Sequence, residues 1–376
     1  MANARRGSDS AEQHVAFMGR ALELARNGLG LASPNPMVGA VVVADGRVVG
    51  EGWHEGPGTP HAEVMALEAA GDRGRGATLY ATLEPCSHQG RTPPCAPRVV
   101  AAGVARVVAA RQDPNPLVDG SGFRLLREAG VEVMVGILED EGRELIAGFA
   151  KHIGTGLPFV VLKMAASLDG KVAARDGSSR WITGEEARRD AHRLRAGSDA
   201  VVVGIGTVLA DDPSLTVRLD GYRGRQPLRV VVDGRGRLPA SAAVLDGTAP
   251  ALIATSSAPA ETRAAWERRG AEVVVLDRDP DRGVPLGGLM VALGKREVQT
   301  VVVEGGSSLA WSAVQDGVAD RLVLYLAPKL VGGLAAPGVL GGEGVATIAD
   351  ALPMSIRSIE RIGEDLKVVA DVHRDR

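Results

Sequence analysis

Thr59-Pro60-His61-Ala62-Glu63 reads as the opening of a helix, and Glu84-Pro85-Cys86 and then Cys95 answer it downstream. The two cysteines of that set are the only two in the chain. One imidazole and two thiolates are three ligands, the number with which a catalytic zinc keeps a fourth position for water. Glu63 follows His61 by two residues, where a proton shuttle that is not itself a ligand belongs. Two blander readings stay open. One is a structural zinc closed by a fourth protein ligand, with His88 as the candidate; the other is a pair of cysteines that are merely buried. His54 reads as a surface or pocket residue and not as a ligand.

H-x-E followed by P-C-x-x-C is the signature of zinc nucleobase deaminases. Here Cys95 comes nine residues after Cys86, so a loop stands where the signature has a helical turn. Around this centre the pattern alternates. Val15, Met18, Leu22 and Ala25 mark a helix over 14–27, stopped by Gly28 and Gly30. Ser33-Pro34-Asn35-Pro36 is a stiff loop leading to a buried strand over 38–43. Asp45-Gly46 is a hairpin turn, and 47–53 is the returning strand. Thr59 is the expected cap of the next helix, with Pro60 at its first position. Strands over 78–83, 105–110 and 131–136, with helices from about Cys95 and over 122–128, describe an α/β/α layer. Residues 1–13 read as a disordered lead-in.

Length and composition narrow the class. The 376 residues suggest two or three domains. A net charge of -3 offers no basic field to nucleic acid, and 3% aromatics leave few platforms for stacked bases. No apolar run reaches the roughly 18 residues of a membrane span, and the polar start lacks a signal-peptide core. Two cysteines at metal-like spacing suit a reducing cytoplasm.

Gly154, Gly156 and Pro158 mark a boundary, giving expected domains over 14–150 and 158–376. The second half repeats strand, glycine and helix units, which predicts a mostly parallel sheet. Its strands fall over 159–164, 199–205, 228–233, 251–254, 272–276, 300–303, 322–326 and 367–370. A helix runs over 184–195 with Thr183 as its expected cap. Val303-Glu304-Gly305-Gly306-Ser307 is a strand running through paired glycines into a helix, a place for backbone N–H groups to hold a phosphate, or simply a tight turn. Gly206-Thr207 through Asp211-Asp212-Pro213, with Arg218 beyond, could hold sugar hydroxyls and phosphate, or be a turn with solvated charges. The basic run from Arg188 to Arg195 is a solvated helix face unless Arg195 points inward.

Collected, these residues resemble the bifunctional deaminase/reductase family of bacterial riboflavin biosynthesis, over nearly the whole chain from about His14. The resemblance rests on Pro34-Asn35-Pro36-Met37-Val38-Gly39, Pro60-His61-Ala62-Glu63, Thr82-Leu83-Glu84-Pro85-Cys86-Ser87-His88, Gly90-Arg91-Thr92-Pro93-Pro94-Cys95 and Gln112-Asp113-Pro114-Asn115-Pro116. In the second half it rests on Lys163, Ser167-Leu168-Asp169-Gly170, Trp181-Ile182-Thr183, residues 208–213 and Glu304-Gly305-Gly306. It implies an α/β fold made of an N-terminal cytidine-deaminase-like α/β/α domain and a C-terminal dihydrofolate-reductase-like α/β domain.

The resemblance also implies chemistry. Zinc would sit on His61, Cys86 and Cys95, with Glu63 moving protons and Asn35 touching the substrate, a diaminopyrimidinone ribosyl phosphate. NADPH would lie against Ala165, Trp181, Thr207, Asp211 and Gly306 and reduce the ribosyl group to ribityl. Ser179, Arg195, Leu215, Arg218 and Glu304 would face the substrate, the arginines on its phosphate. The partners implied are a small phosphorylated pyrimidine and further copies of the chain, with neither nucleic acid nor membrane. Two other functions compete. One is a zinc deaminase of a nucleoside or tRNA base with a non-catalytic nucleotide-binding second domain; the other is a zinc-stabilised RNA-binding module, which the charge of -3 disfavours.

Overall fold

The first helix, α1 (Ala11–Ala25), starts on a capping box: Ser10 Oγ accepts the Gln13 N–H while the Gln13 side chain accepts the Ser10 N–H. It therefore begins three residues before the expected start, because Ser10-x-x-Gln13 is a cap and not part of a tail. In the computed structural model the described residues are 10–90, 92–277 and 283–373. Residues 1–9 of the expected lead-in, and Arg91 of the Gly90-to-Cys95 loop, lie outside them. The chain divides into two units, Met1–Thr155 and Gly156–Arg376. No described helix is long and apolar enough to cross a membrane.

In the first unit β1 (Gly39–Ala44) and β2 (Arg47–Trp53) form the hairpin, with Asp45 and Gly46 both at positive φ. Next come α2 (Ala62–Ala70), β3 (Thr78–Ala81), α3 (Cys95–Ala101), β4 (Arg106–Ala109), α4 (Ser121–Glu128) and β5 (Glu132–Val135). The sheet order is β2-β1-β3-β4-β5; β1 runs antiparallel to β2 and β3, while β3, β4 and β5 are parallel. One face packs Ala40, Val42 and Leu79 on residues of α2, α3 and α4; the other packs Val41, Val43 and Tyr80 on Met18 and Leu22 of α1. That is the expected α/β/α layering. Two further helices, α5 (Glu139–Leu145) and α6 (Ala147–Thr155), occupy a stretch for which no element was expected.

The contact of α2 with β2 depends on backbone touching backbone. A Cβ at Gly50 would stand 2.1 Å from the Ala66 carbonyl oxygen, and one at Gly52 would stand 2.4 Å from that of Ala62. Only glycine permits that approach, and it fixes the start of α2 over the sheet. Thr59 does not cap this helix. Its hydroxyl donates to the Gly56 carbonyl at 2.7 Å, and the N-cap is His61, which makes no side-chain cap. Its ring is committed elsewhere.

The second unit runs β6 (Phe159–Ser167), α7 (Glu185–Ala196), β7 (Ala200–Gly204), α8 (Ile205–Asp211), β8 (Leu228–Val232), β9 (Ala251–Thr255), α9 (Ala260–Arg268), β10 (Glu272–Val275), α10 (Leu286–Gly294), β11 (Thr300–Glu304), α11 (Ser307–Gln315), β12 (Arg321–Ala327), β13 (Met354–Ile362) and β14 (Asp365–Val372). Nine strands lie in the order β10-β9-β8-β7-β11-β6-β12-β14-β13. All neighbours are parallel except at the β12-β14-β13 edge. The core strands are runs of valine with both faces covered, as parallel sheets require.

Three local expectations are corrected here. Thr183 is not the cap of α7: Gly184 is, its N–H held by Asp365 Oδ2 at 2.7 Å. Residues 205–211, expected as a turn, form α8, with Gly204 as N-cap. Strand β13 was not expected at all; it is the outermost strand and largely exposed on both faces, so it carries no buried alternation to read.

Candidate functional site

Two sites take shape, one in each unit. In the first, the start of α2 brings His61, the turn after β3 brings Cys86, and the first residue of α3 brings Cys95. Their ligand atoms lie within 4.8 Å of one another. His61 Nδ1 stands 3.1 Å from Cys95 Sγ and 3.4 Å from Cys86 Sγ. Zinc bonds of ~2.3 Å to sulfur and ~2.0 Å to nitrogen at a tetrahedral angle separate N and S by about 3.5 Å. The donors thus fit that ion in type and spacing. His88 is not in the cluster, so among the described residues no fourth protein ligand closes it.

The surroundings orient these donors. His61 Nε2 lies 3.0 Å from Thr92 Oγ1, which leaves Nδ1 for the metal. The Cys95 N–H donates to Cys86 Sγ at 3.3 Å, and the Ala96 N–H to the Cys86 carbonyl at 3.0 Å. Together with Cys95 at the N-terminus of α3, these favour thiolate. The Cys86 thiol is pulled down to about 4 by the Cys95 hydrogen bond and by His61. Cys95 is pushed up by its hydrogen bond with Cys86 and by burial. The pair therefore shares one proton, which a metal would displace.

Glu63 is buried, and burial pushes its carboxyl up to about 7, with His61 opposing. A carboxyl that gains or loses its proton near neutrality can carry one in either direction. His54 is buried too, kept neutral chiefly by that burial. Its Nε2 lies 2.9 Å from Asn35 Nδ2, and its ring meets that of His61 edge-on at 5.3 Å. Asn35 is thereby one residue removed from the cluster.

In the second unit a cavity of about 750 Å³ is lined by Lys163, His192, Arg195, Arg218 and Tyr325, with Trp181 among the residues at its wall. Arg195 points inward. It grips Glu304 with two hydrogen bonds, Nε–H to Oε1 at 2.7 Å and Nη2–H to Oε2 at 2.8 Å, and its Nη1–H donates to the Thr216 carbonyl. Burial opposes ionisation of Glu304, but Arg195 and Lys163 more than offset it and hold its carboxyl down at about 2. Arg218 donates from Nη1 to Ser214 Oγ at 2.9 Å. The Leu215 side chain is buried in the core at φ +55°, so only its backbone is offered to a ligand. Ser179 is half-buried, two residues before Trp181.

Of the residues expected against a cofactor, Thr207 and Asp211 lie on α8 and Gly306 in the β11–α11 turn. The Gly306 N–H donates to Thr207 Oγ1 at 3.2 Å. Gly305 sits at φ +87°, and a Cβ there would stand 2.5 Å from Thr207 Oγ1, so the turn needs glycine. Asp211 pairs with Arg180 at 3.3 Å, and Trp181, 63% exposed, has the Arg188 guanidinium 4.6 Å above its ring. Ala165 lies on β6 opposite Tyr325.

The sequence reading gave no part to Thr92, His192 or Tyr325. Thr92 stands in the quoted loop and is the kind of partner a ligating histidine needs; His192 lies three residues before Arg195, on the same face of its helix.

The second unit matches the family model described as RibD C-terminal domain, over residues 158–368. The first matches the cytidine and deoxycytidylate deaminase zinc-binding region, over residues 11–111. The riboflavin biosynthesis protein RibD of Aquifex aeolicus is 43% identical over 94% of this chain and 96% of its own. The chain belongs to the RibD family. Its Escherichia coli relative is 42% identical over 93% of this chain and 97% of its own. Among solved structures, Acinetobacter baumannii RibD superposes with a TM-score of 0.86 at 39% identity, covering 97% of this chain and all of that one. A Thermotoga maritima structure described as a diaminohydroxyphosphoribosylaminopyrimidine deaminase/5-amino-6-(5-phosphoribosylamino)uracil reductase has a TM-score of 0.85 at 36% identity, covering 96% and 99%. As a RibD, the protein is a bifunctional deaminase and reductase of riboflavin biosynthesis, with a zinc-binding deaminase domain and a reductase domain that uses NADPH.

Proposed function

We propose that the first domain, over 14–150, deaminates a diaminopyrimidinone ribosyl phosphate, and that the second, over 158–376, reduces the ribosyl group of the product to ribityl. The observation that carries the substrate assignment is the cavity of the second unit, where Lys163, Arg195 and Arg218 surround space for a phosphorylated sugar. In the first domain His61, Cys86 and Cys95 would hold the zinc. Bound there, it supplies Lewis acidity that brings the pKa of a water from 15.7 to about 7. Glu63 is placed to take a proton from the attacking water and pass it to the leaving amine, so that water is consumed and ammonia released. Asn35, anchored at His54, faces the pyrimidine.

In the second domain bound NADPH would supply the hydride for C1 of the ribosyl chain, with the matching proton drawn from solvent. The Thr207–Gly306 contact, Trp181, Asp211 and Ala165 form its bed. Arg195 and Arg218 bind the phosphate, Glu304 holds Arg195 and faces a sugar hydroxyl, and Ser179 and the Leu215 backbone complete the substrate's surroundings. The two free thiols support a cytoplasmic setting. Exposed Ile356 and Ile359 on outer strand β13 support a homo-oligomer, which sedimentation would check.

The test is a paired assay on the diaminopyrimidinone ribosyl phosphate, following ammonia release and NADPH oxidation together. Ammonia should appear without NADPH, and NADPH should be consumed only after deamination. Absence of both in the zinc-loaded protein would overturn the substrate assignment.

A further inference from the structure

His192 lies on α7 one turn before Arg195 and lines the same cavity as Lys163, Arg195 and Arg218. Its Nδ1 accepts the backbone N–H of Arg218 at 3.1 Å. An imidazole that accepts at Nδ1 carries its hydrogen at Nε2. Burial first, then the charges of Arg195 and Arg218, push its pKa down to about 4, with Glu304 opposing. The ring is therefore neutral near pH 7, with an Nε2–H that no described residue accepts.

The neighbouring arginines do not have all their donors to give. Three N–H groups of Arg195 are spent on Glu304 and the Thr216 carbonyl, and Arg218 spends one on Ser214. A phosphate dianion has three terminal oxygens to satisfy. A further cation in this cavity would repel the lysine and arginines that already line it, whereas a neutral N–H adds a hydrogen bond without that cost. We propose that His192 binds the substrate of the reductase directly, donating its Nε2–H to the phosphate that Arg195 and Arg218 hold. This rests on the phosphate reading of the cavity. It makes α7 a double contributor, giving a charge from Arg195 and a neutral donor from the same face.

Two isosteric substitutions separate the ends of the ring. His192→Asn keeps an acceptor where Nδ1 stands and removes the Nε2 donor; His192→Gln keeps a donor near Nε2 and removes the acceptor. The reading is the reductase KM for the deaminated phosphorylated substrate and for its dephosphorylated form, with NADPH binding as the check on folding. His192→Asn should raise KM for the phosphorylated substrate by roughly 10- to 100-fold, the worth of one hydrogen bond to a charged group. It should leave kcat within a few-fold and the dephosphorylated form unaffected, while His192→Gln recovers most of the loss. The opposite order, Gln impaired and Asn normal, would make His192 a strut for the Arg218 segment and overturn the proposal. So would an equal loss on both substrates. If the Asn variant does not bind NADPH, the Gln variant decides alone: a near-normal KM supports the proposal and a large rise overturns it. Arg218→Ala distinguishes the levels. If it raises KM and His192→Asn does not, this inference alone fails; if it leaves KM unchanged, the phosphate reading fails and takes this inference with it.

Discussion

Glu63 and Glu304 are both buried carboxylates at a site, and they are held in opposite states. Burial lifts Glu63 to about 7, and the opposing pull of His61 does not offset it. Glu304 suffers burial too, yet Arg195 and Lys163 hold it at about 2. The difference shows what each domain lacks. The first is a pocket of electron-rich donors waiting for a cation. The second carries its own positive charge, more than Glu304 neutralises, and waits for an anion. One carboxylate is free to move a proton; the other is locked as a brace.

Chelating the metal is the harshest way to test that contrast. It should abolish ammonia release and leave NADPH-dependent reduction of the deaminated substrate intact; loss of both in a folded protein would mean the two sites are not independent. Next is Glu63→Ala, which should keep zinc by elemental analysis but slow deamination by roughly 10²- to 10⁴-fold, the usual worth of a positioned acid–base group. Full activity would remove Glu63 from proton transfer. Glu304→Gln should destabilise the second unit by roughly 3–5 kcal/mol, measured by denaturant unfolding, because it strands Arg195 in a buried site. A change within a few tenths would show that Arg195 finds another partner.

The smallest effect is in acid. The Glu304 carboxyl is depressed in the fold, so its contribution is fully present above the unfolded carboxyl's pKa of ~4.3 and is lost as pH falls through about 2. Melting of the second unit should therefore decline between those limits, and Glu304→Gln should flatten that decline.

The sequence showed these sites unevenly, for physical reasons. With two cysteines in the chain few metal clusters were possible, and of those weighed it is His61, Cys86 and Cys95, without His88, that converge. The valine runs and the Asp45-Gly46 turn placed most strands within a residue or two. Helix α8 was hidden by Gly206, and β13 by exposure on both faces. The start of α1 was masked by reading Ser10 as tail. The direction of Arg195 could not be read at all: α7 bears arginines around its surface, and what turns this one inward is Glu304, 109 residues away. His192 was overlooked for the same reason, since the segment it grips comes from another part of the chain.

The loop from Cys86 to Cys95 gives the metal cluster a second property. Its ends are tied by two backbone N–H groups on Cys86, and Thr92 within it steadies the ring of His61. Closing a loop costs entropy, and these protein–protein hydrogen bonds offset part of that cost independently of the metal. The loop's hydroxyl at Thr92, more than its length, becomes the handle by which the chain tunes how tightly it keeps its metal.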